Sequence, residues 1–340
     1  MTMTDSGPPA PAESPVQAPA PIPQDAGRRA RRLAAEAGVP ADISAPAAVE
    51  GGKSSRKGRR PLSTGRGIAA WVLASVSLLL LWFVFYAVVL TPFQEQHAQS
   101  VLYNTMRQKL SQQVAPLGGP IVPGTPVALI SAPALGISDV VVVEGTASGD
   151  LMAGPGHRGD TVLPGQSGVA VLYGRASLFG GPFANLRNAH AGEQVTVTTG
   201  QGVFHFQILG RRVAGDPLPA PLADGGARMT LVSATGSGRL GSLTPDGTIY
   251  VDAQLTGQSQ PSPPGRATAV PKAERAMQGD PSALLPLALS LPLLVAAVLF
   301  LAWARDRWGG WQTWLIGTPI LLATLWLVSQ AAVQLLPNLL

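Results

Sequence analysis

The chain contains no cysteine. That absence excludes disulfides, thiolate metal sites and a thiol nucleophile at once. Charge is also scarce: Asp, Glu, Lys and Arg make up 13% of the 340 residues, against 46% hydrophobic ones. Soluble domains carry roughly 25% charged residues, so this balance points to membrane spans and not to one large soluble core. Histidine is limited to four residues, and no spacing in the chain resembles a metal site or a phosphate-binding loop. No cofactor is expected. The length admits one or two domains with additional segments.

Three apolar runs are present. Residues 67–90 (GIAAWVLASVSLLLLWFVFYAVVL) carry no charge and match the roughly 20 apolar residues that a span requires. Trp71, Trp82 and Tyr86 are amphipathic aromatics of the kind found near membrane interfaces. Residues 283–304 and 314–336 form the other two runs; Pro286 and Pro292 lie in the first of these, where neighbouring helices can satisfy the freed carbonyls. Ala296, Ala297 and Gly317 are small enough to let helices pack closely. Lys53, Arg56, Lys57, Arg59, Arg60 and Arg66 precede the first run, and Arg305 and Arg307 lie in the connection 305–313. By the positive-inside rule both clusters face the cytoplasm, which puts residues 91–282 outside. No small-residue cleavage site accompanies the first run, so it reads as a retained anchor. Nucleic-acid binding is the rival reading of the basic cluster, but its place beside a span already explains it. Residues 1–52 are rich in Pro and Ala and are expected to be a disordered cytoplasmic tail. Within them, 28–37 could form a short basic helix on a partner or on anionic lipid, a solvated tail being the simpler reading.

Beyond the first run, residues 94–112 place Leu102, Met106 and Leu110 at i, i+4 and i+8, which predicts an amphipathic stalk helix with His97 as an exposed polar residue. From residue 125 the pattern changes. Strands are predicted over 127–130, 139–143, 168–173, 194–199, 203–213, 228–233 and 248–255, each bounded by Gly, Pro, Asp or Ser. The turn Gly200-Gln201-Gly202 joins two alternating runs as a hairpin. Seven short strands in about 130 residues predict a closed or nearly closed β-barrel over 125–257. Residues 258–282 have the Pro/Ser/Gly composition of a tether. The fold class is therefore a mostly β outer domain carried by three transmembrane helices.

The densest stretch is 154–183, GPGHRGDTVLPGQSGVAVLYGRASLFGGPF. Glycine and proline clusters flank the apolar run 169–173, and Phe183 follows as an anchoring aromatic. GPGH, then a PGQxG turn, a strand and a segment ending GGPF resemble the central motif of the sortases, most closely their actinobacterial class E branch. That resemblance implies a membrane-anchored β-barrel transpeptidase of the Gram-positive cell envelope. It extends more loosely over 126–255, through Val143-Glu144-Gly145, Ala191-Gly192-Glu193, Thr230-Leu231-Val232 and the last strand.

In that family a cysteine thiolate attacks, a histidine handles the leaving amine's proton and an arginine steadies the oxyanion or the substrate. The resemblance carries the histidine position to Arg175, the cysteine position to Ala234 and the arginine position to Thr248, with Arg239 in the preceding loop as the alternative for the last. Alanine has no nucleophile, and a guanidinium keeps its proton near neutral pH. The reading is a catalytically degenerate member that binds a peptide, a sorting-signal-bearing protein or an active sortase. Arg175 would supply a fixed positive charge to the groove. Two alternatives stand beside it: a hydrolase or transpeptidase with another nucleophile, and a structural subunit of a membrane assembly. Ser233 adjoins Ala234 but should face the other way on a strand. Ser177 has no evident histidine partner. His157 falls where many family members carry a non-catalytic histidine, while His190 and His205 read as a turn residue and an alternating strand residue.

Overall fold

The computed structural model describes residues 64–236 and 245–340. The tail, the basic residues 53–60 and Arg239 lie outside the described residues.

The first span and the stalk, expected as separate helices, form one rod, Gly67–Ser111. Helix α1 (Thr64–Phe85) passes through a π-helical turn, Tyr86–Leu90, into α2 (Thr91–Ser111). The reason is local. Pro92 brings no N–H to the ladder, and the backbone N–H of Thr91 reaches back to the Tyr86 carbonyl, the wider bonding of a π-bulge. The Thr91 hydroxyl donates to the Ala87 carbonyl at 2.7 Å and accepts from the Phe179 N–H at 3.1 Å. The widened turn is thus pinned to a barrel loop.

Helices α3 (Leu284–Trp308) and α4 (Gly310–Gln334) form an antiparallel hairpin. The connection expected over 305–313 shrinks to Gly309, whose φ of 92° lies in the region that glycine tolerates best. Arg305 and Arg307 instead occupy the last turn of α3, where cations complement the helix carboxyl end. All three helical segments are long and apolar enough to cross a membrane. Helix α1 meets α4 through a hydrogen bond from Trp82 Nε1 to Ser329 Oγ (3.1 Å) and an edge-on Tyr86–Trp326 contact at 5.2 Å. Gly317 lets the hairpin close: a Cβ there would lie 2.6 Å from Leu301.

The barrel has eight strands, β1 (Pro126–Ala132), β2 (Ile137–Glu144), β3 (Gly156–His157), β4 (Gly168–Tyr173), β5 (Gln194–Thr199), β6 (Gly202–Val213), β7 (Ala227–Thr235) and β8 (Gly247–Leu255). They close in the order β1-β2-β3-β4-β7-β8-β6-β5, which leaves no free edge. Seven coincide with the predicted runs. The eighth, β3, is two residues long and runs parallel to β2 and antiparallel to β4, too short to show a period. Strand β6 alternates, with Phe204, Phe206 and Ile208 inward and Val203, His205 and Gln207 outward. Strand β7 lies between β4 and β8 and is buried along nearly its whole length. Val127, Ile130, Leu172, Phe183, Val197, Phe206, Met229 and Val251 share one core.

Helix α2 lies against the barrel. Gln99 donates to the carbonyls of Val141 and Ala153 and accepts from the Val141 N–H. The segment 258–282, expected as a tether, is docked along the barrel. Gln260 exchanges backbone hydrogen bonds with Gly165 and Ser167 at 2.9 Å. Further on, Arg266 pairs with the buried Glu144, and the Glu274 carbonyl accepts from Thr146 Oγ1.

Candidate functional site

The ends of β4, β7 and β8 bring three of the sequence-designated positions into one row. In the parallel β4–β7 pair Tyr173 is level with Val232, and in the β7–β8 pair Ala234 is level with Thr248. The Gly174 N–H continues the ladder to the Val232 carbonyl at 3.0 Å. The same register carried past the end of β4 brings Arg175 level with Ala234. Gly174 is required by packing, since a Cβ there would lie 2.4 Å from the Phe183 ring. The Phe183 N–H in turn donates to the Arg175 carbonyl at 3.1 Å, folding 175–183 into a tight loop.

Within that row the side chains differ from an open groove. Arg175 is fully buried. Its Nε donates to the Leu151 carbonyl at 3.2 Å, and its Nη2 donates to the Ser148 carbonyl and hydroxyl at 2.8 and 2.9 Å. The guanidinium carbon lies 5.0 Å from the centre of the Phe179 ring. Nη1 has no partner, and no carboxylate pairs with Arg175 among the described residues. Burial pushes its pKa down to about 9, which leaves it charged at neutral pH. The charge that the sequence placed in the groove is thus enclosed beneath the loop 146–152.

Ala234 presents only a methyl group, in an apolar cluster with Leu151, Tyr173, Ala176, Val232 and Leu339. The Thr248 hydroxyl donates to the Tyr250 hydroxyl at 3.0 Å. The Tyr250 ring lies 4.3 Å beneath the Arg212 guanidinium, itself bound to Asp252 at 2.7 Å. Ser233 faces away from Ala234, with its hydroxyl donated to the Gly174 carbonyl at 2.8 Å. Ser177 lies half-buried in the loop after Arg175.

His157 stands apart from the row, on β3. Its Nδ1 faces Glu144 at 2.9 Å, and its Nε2 faces the Val162 carbonyl at 2.9 Å and the Thr161 hydroxyl at 3.1 Å. Through Glu144 it is joined to Arg266. This is a buried tie between the barrel wall and the docked segment. His190 pairs with Glu193 on the surface, and His205 is exposed on β6. Among the described residues no cluster of three His, Asp or Glu is arranged for a metal.

One titratable neighbour was not singled out by the sequence. Asp150 opens the short 3₁₀ turn Asp150–Met152 whose Leu151 carbonyl holds Arg175. Burial, reinforced by the negative charge of Glu274, raises its carboxyl pKa to about 6.

These features define a class: among the described residues, three apolar helices and a closed eight-stranded barrel with the designated row at the ends of β4, β7 and β8. Residues 130–235 match the sortase domain model, and the chain carries a domain of the sortase family. Solved structures similar to it include sortase E from Streptomyces avermitilis, at 26% identity over 46% of this chain and 100% of that one, with a TM-score of 0.33. A Clostridium perfringens sortase D5 transpeptidase is 21% identical over 47% of this chain and 99% of that one, with a TM-score of 0.38. The SrtF sortase from Corynebacterium diphtheriae is 22% identical over 47% and 98%, with a TM-score of 0.34. No curated protein matches the chain.

Proposed function

We propose that this protein is a sortase-family domain that has given up bond making and binds an extended peptide or an envelope protein at the surface of an actinobacterial-type cell. In this reading it is held in the plasma membrane by three spans, with the amino terminus cytoplasmic and the barrel outside. It would assist surface-protein anchoring or assembly, alone or beside an active sortase. One observation carries the reading: Ala234 sits level with Thr248 at the mouth, in a chain without cysteine. A barrel cleft can persist without its nucleophile, because groove shape and transpeptidation chemistry reside in different residues.

A serine-based hydrolase has less support. The Ser233 hydroxyl is committed to the Gly174 carbonyl on the opposite face of β7, and His157 is committed to Glu144 and Val162. The close helix approach at Gly317 is made to this chain's own Leu301, so it does not speak for a larger membrane assembly.

The test is cross-linking and mass spectrometry on the full-length protein captured from the organism that encodes it, beside a Tyr250→Ala variant that alters the cleft wall. A defined exported protein recovered by the natural chain and lost with the variant supports the reading. Recovery of the same partners by both moves the interaction to the spans or the tail and refutes it.

A further inference from the structure

We infer that the cleft is closed by the chain itself. Residues 275–278 and 337–340 form a two-part plug over the row at Arg175, Ala234 and Thr248, and anything else that occupies the row must displace it.

The seat is built from side chains and main chain together. Leu339 is fully buried against Leu151, Tyr173, Ala176, Val232 and Ala234, with Ala276 and Met277 packed alongside. Its carbonyl accepts from the Ala176 N–H at 2.9 Å, and the Leu340 carbonyl accepts from the Leu178 N–H at 3.1 Å. Residues 337–340 form a turn closed by the Leu340 N–H on the Pro337 carbonyl at 3.0 Å, and main-chain carbonyls together with one side chain in a pocket fix that turn on the loop after β4. Ala234 lies in the same apolar cluster as Leu339.

Asn338 clasps the two parts. Its side-chain amide donates to the carbonyls of Thr146 at 2.8 Å and Arg275 at 3.0 Å, and its backbone N–H donates to the Gln278 carbonyl at 2.9 Å. The residue is fully buried. Met277 has a φ of 60°, a conformation that a non-glycine residue adopts only when its surroundings impose it. Beside this segment a hollow of about 430 Å³, lined in part by Tyr173, Val270, Arg275 and Ala276, leaves room for it to swing aside.

The plug follows directly on a membrane helix. Helix α4 ends at Gln334, and Pro337 comes three residues later. Leu336 and Leu340 pack with Tyr86, Phe179, Trp326 and Val333, the cluster that joins α1, α4 and the loop after Arg175. A shift of α4 against α1 would therefore pull on Leu339. Because the plug is intramolecular, its effective concentration is of the order of millimolar. An outside peptide would see its apparent affinity reduced by the fraction of chains that are open. This inference deepens the proposed binding role and rests on the same cleft, but closure can be measured without any partner.

The natural lack of cysteine makes the test direct. Full-length Ala234→Cys protein in membrane vesicles is treated with a maleimide, with Val203→Cys on the exposed face of β6 as the reference thiol. The plug predicts labelling at 234 at least tenfold slower than at 203. Adding Leu339→Asp, or the milder Asn338→Ala, should speed labelling at 234 at least tenfold and leave position 203 unchanged. Labelling at 234 as fast as at 203 in the otherwise natural chain would overturn the inference. So would continued protection at 234 in both opened variants. A protected thiol with no partner captured would sink the binding role and leave the plug standing; a freely labelled thiol with a captured partner would do the reverse.

Discussion

Replacing Asp150 with asparagine should stabilise the protein near neutral pH and do almost nothing in acid. The carboxyl is drawn out of water next to the cradle of Arg175, and burial first, then the charges of Glu274, Asp280 and Glu144, lift its pKa from 3.8 to about 6. Between those two values the folded chain keeps a proton that the unfolded chain has lost. Stability from this group is therefore full in acid, falls as the pH rises through the window, and is lowest above it. A shift of that size corresponds to about 3 kcal/mol, an upper figure because the residue is not fully enclosed. Asparagine mimics the protonated acid and carries no such pH dependence. For a folded unit of this size, 1 kcal/mol moves Tm by roughly 2–4 °C, so Asp150→Asn should raise Tm by about 5–10 °C near pH 7.5. Thermal unfolding of the detergent-solubilised pair between about pH 3.5 and 8 reads the difference. A variant destabilised near pH 8 and little changed in acid would show that the carboxylate is held by partners in its charged form, and the reasoning would fail.

Two further substitutions probe the supports of the site. Gly174→Ala forces a methyl group to within 2.4 Å of the Phe183 ring; a loss of about 1–3 kcal/mol is expected from overpacking, read by chemical denaturation against the natural chain, and an unchanged midpoint would contradict the packing described. Gln99→Glu removes the amide that donates to the Val141 and Ala153 carbonyls, leaving each without its donor at about 1–3 kcal/mol. Hydrogen exchange should then quicken in 139–154, where α2 holds the barrel, and unchanged protection there would show that Gln99 does not fasten the two.

The barrel was legible because its strands carry their own signals. Strands β4 and β5 match their predicted runs end to end, with Gly, Pro or Asp close to each end. Strand β3 was not, because two residues held by β2 and β4 have no period of their own. The single rod of α1 and α2 was hidden by Thr91-Pro92, which reads as a boundary until a π-turn absorbs the missing N–H. The docked segment 258–282 has the composition of a tether, and its fixation depends on bonds to Gly165, Ser167 and Glu144 that composition does not encode. The row of Arg175, Ala234 and Thr248 could be proposed because a local motif and two strand ends mark it. The enclosure of Arg175 by Ser148 and Leu151, and the seat of Leu339, could not. Both depend on contacts between distant parts of the chain whose residues, taken singly, look like an ordinary loop and the end of a span.

The central claim is a sortase-family cleft that binds without making or breaking a covalent bond. The most direct test is the intact mass of the purified full-length protein after exposure to a serine-directed fluorophosphonate, in the natural chain and in the opened Leu339→Asp variant. The account predicts an unmodified mass in both. An adduct mapped to Ser177 or Ser233, above all one that forms faster when the plug is released, would show a working nucleophile at the mouth and contradict it.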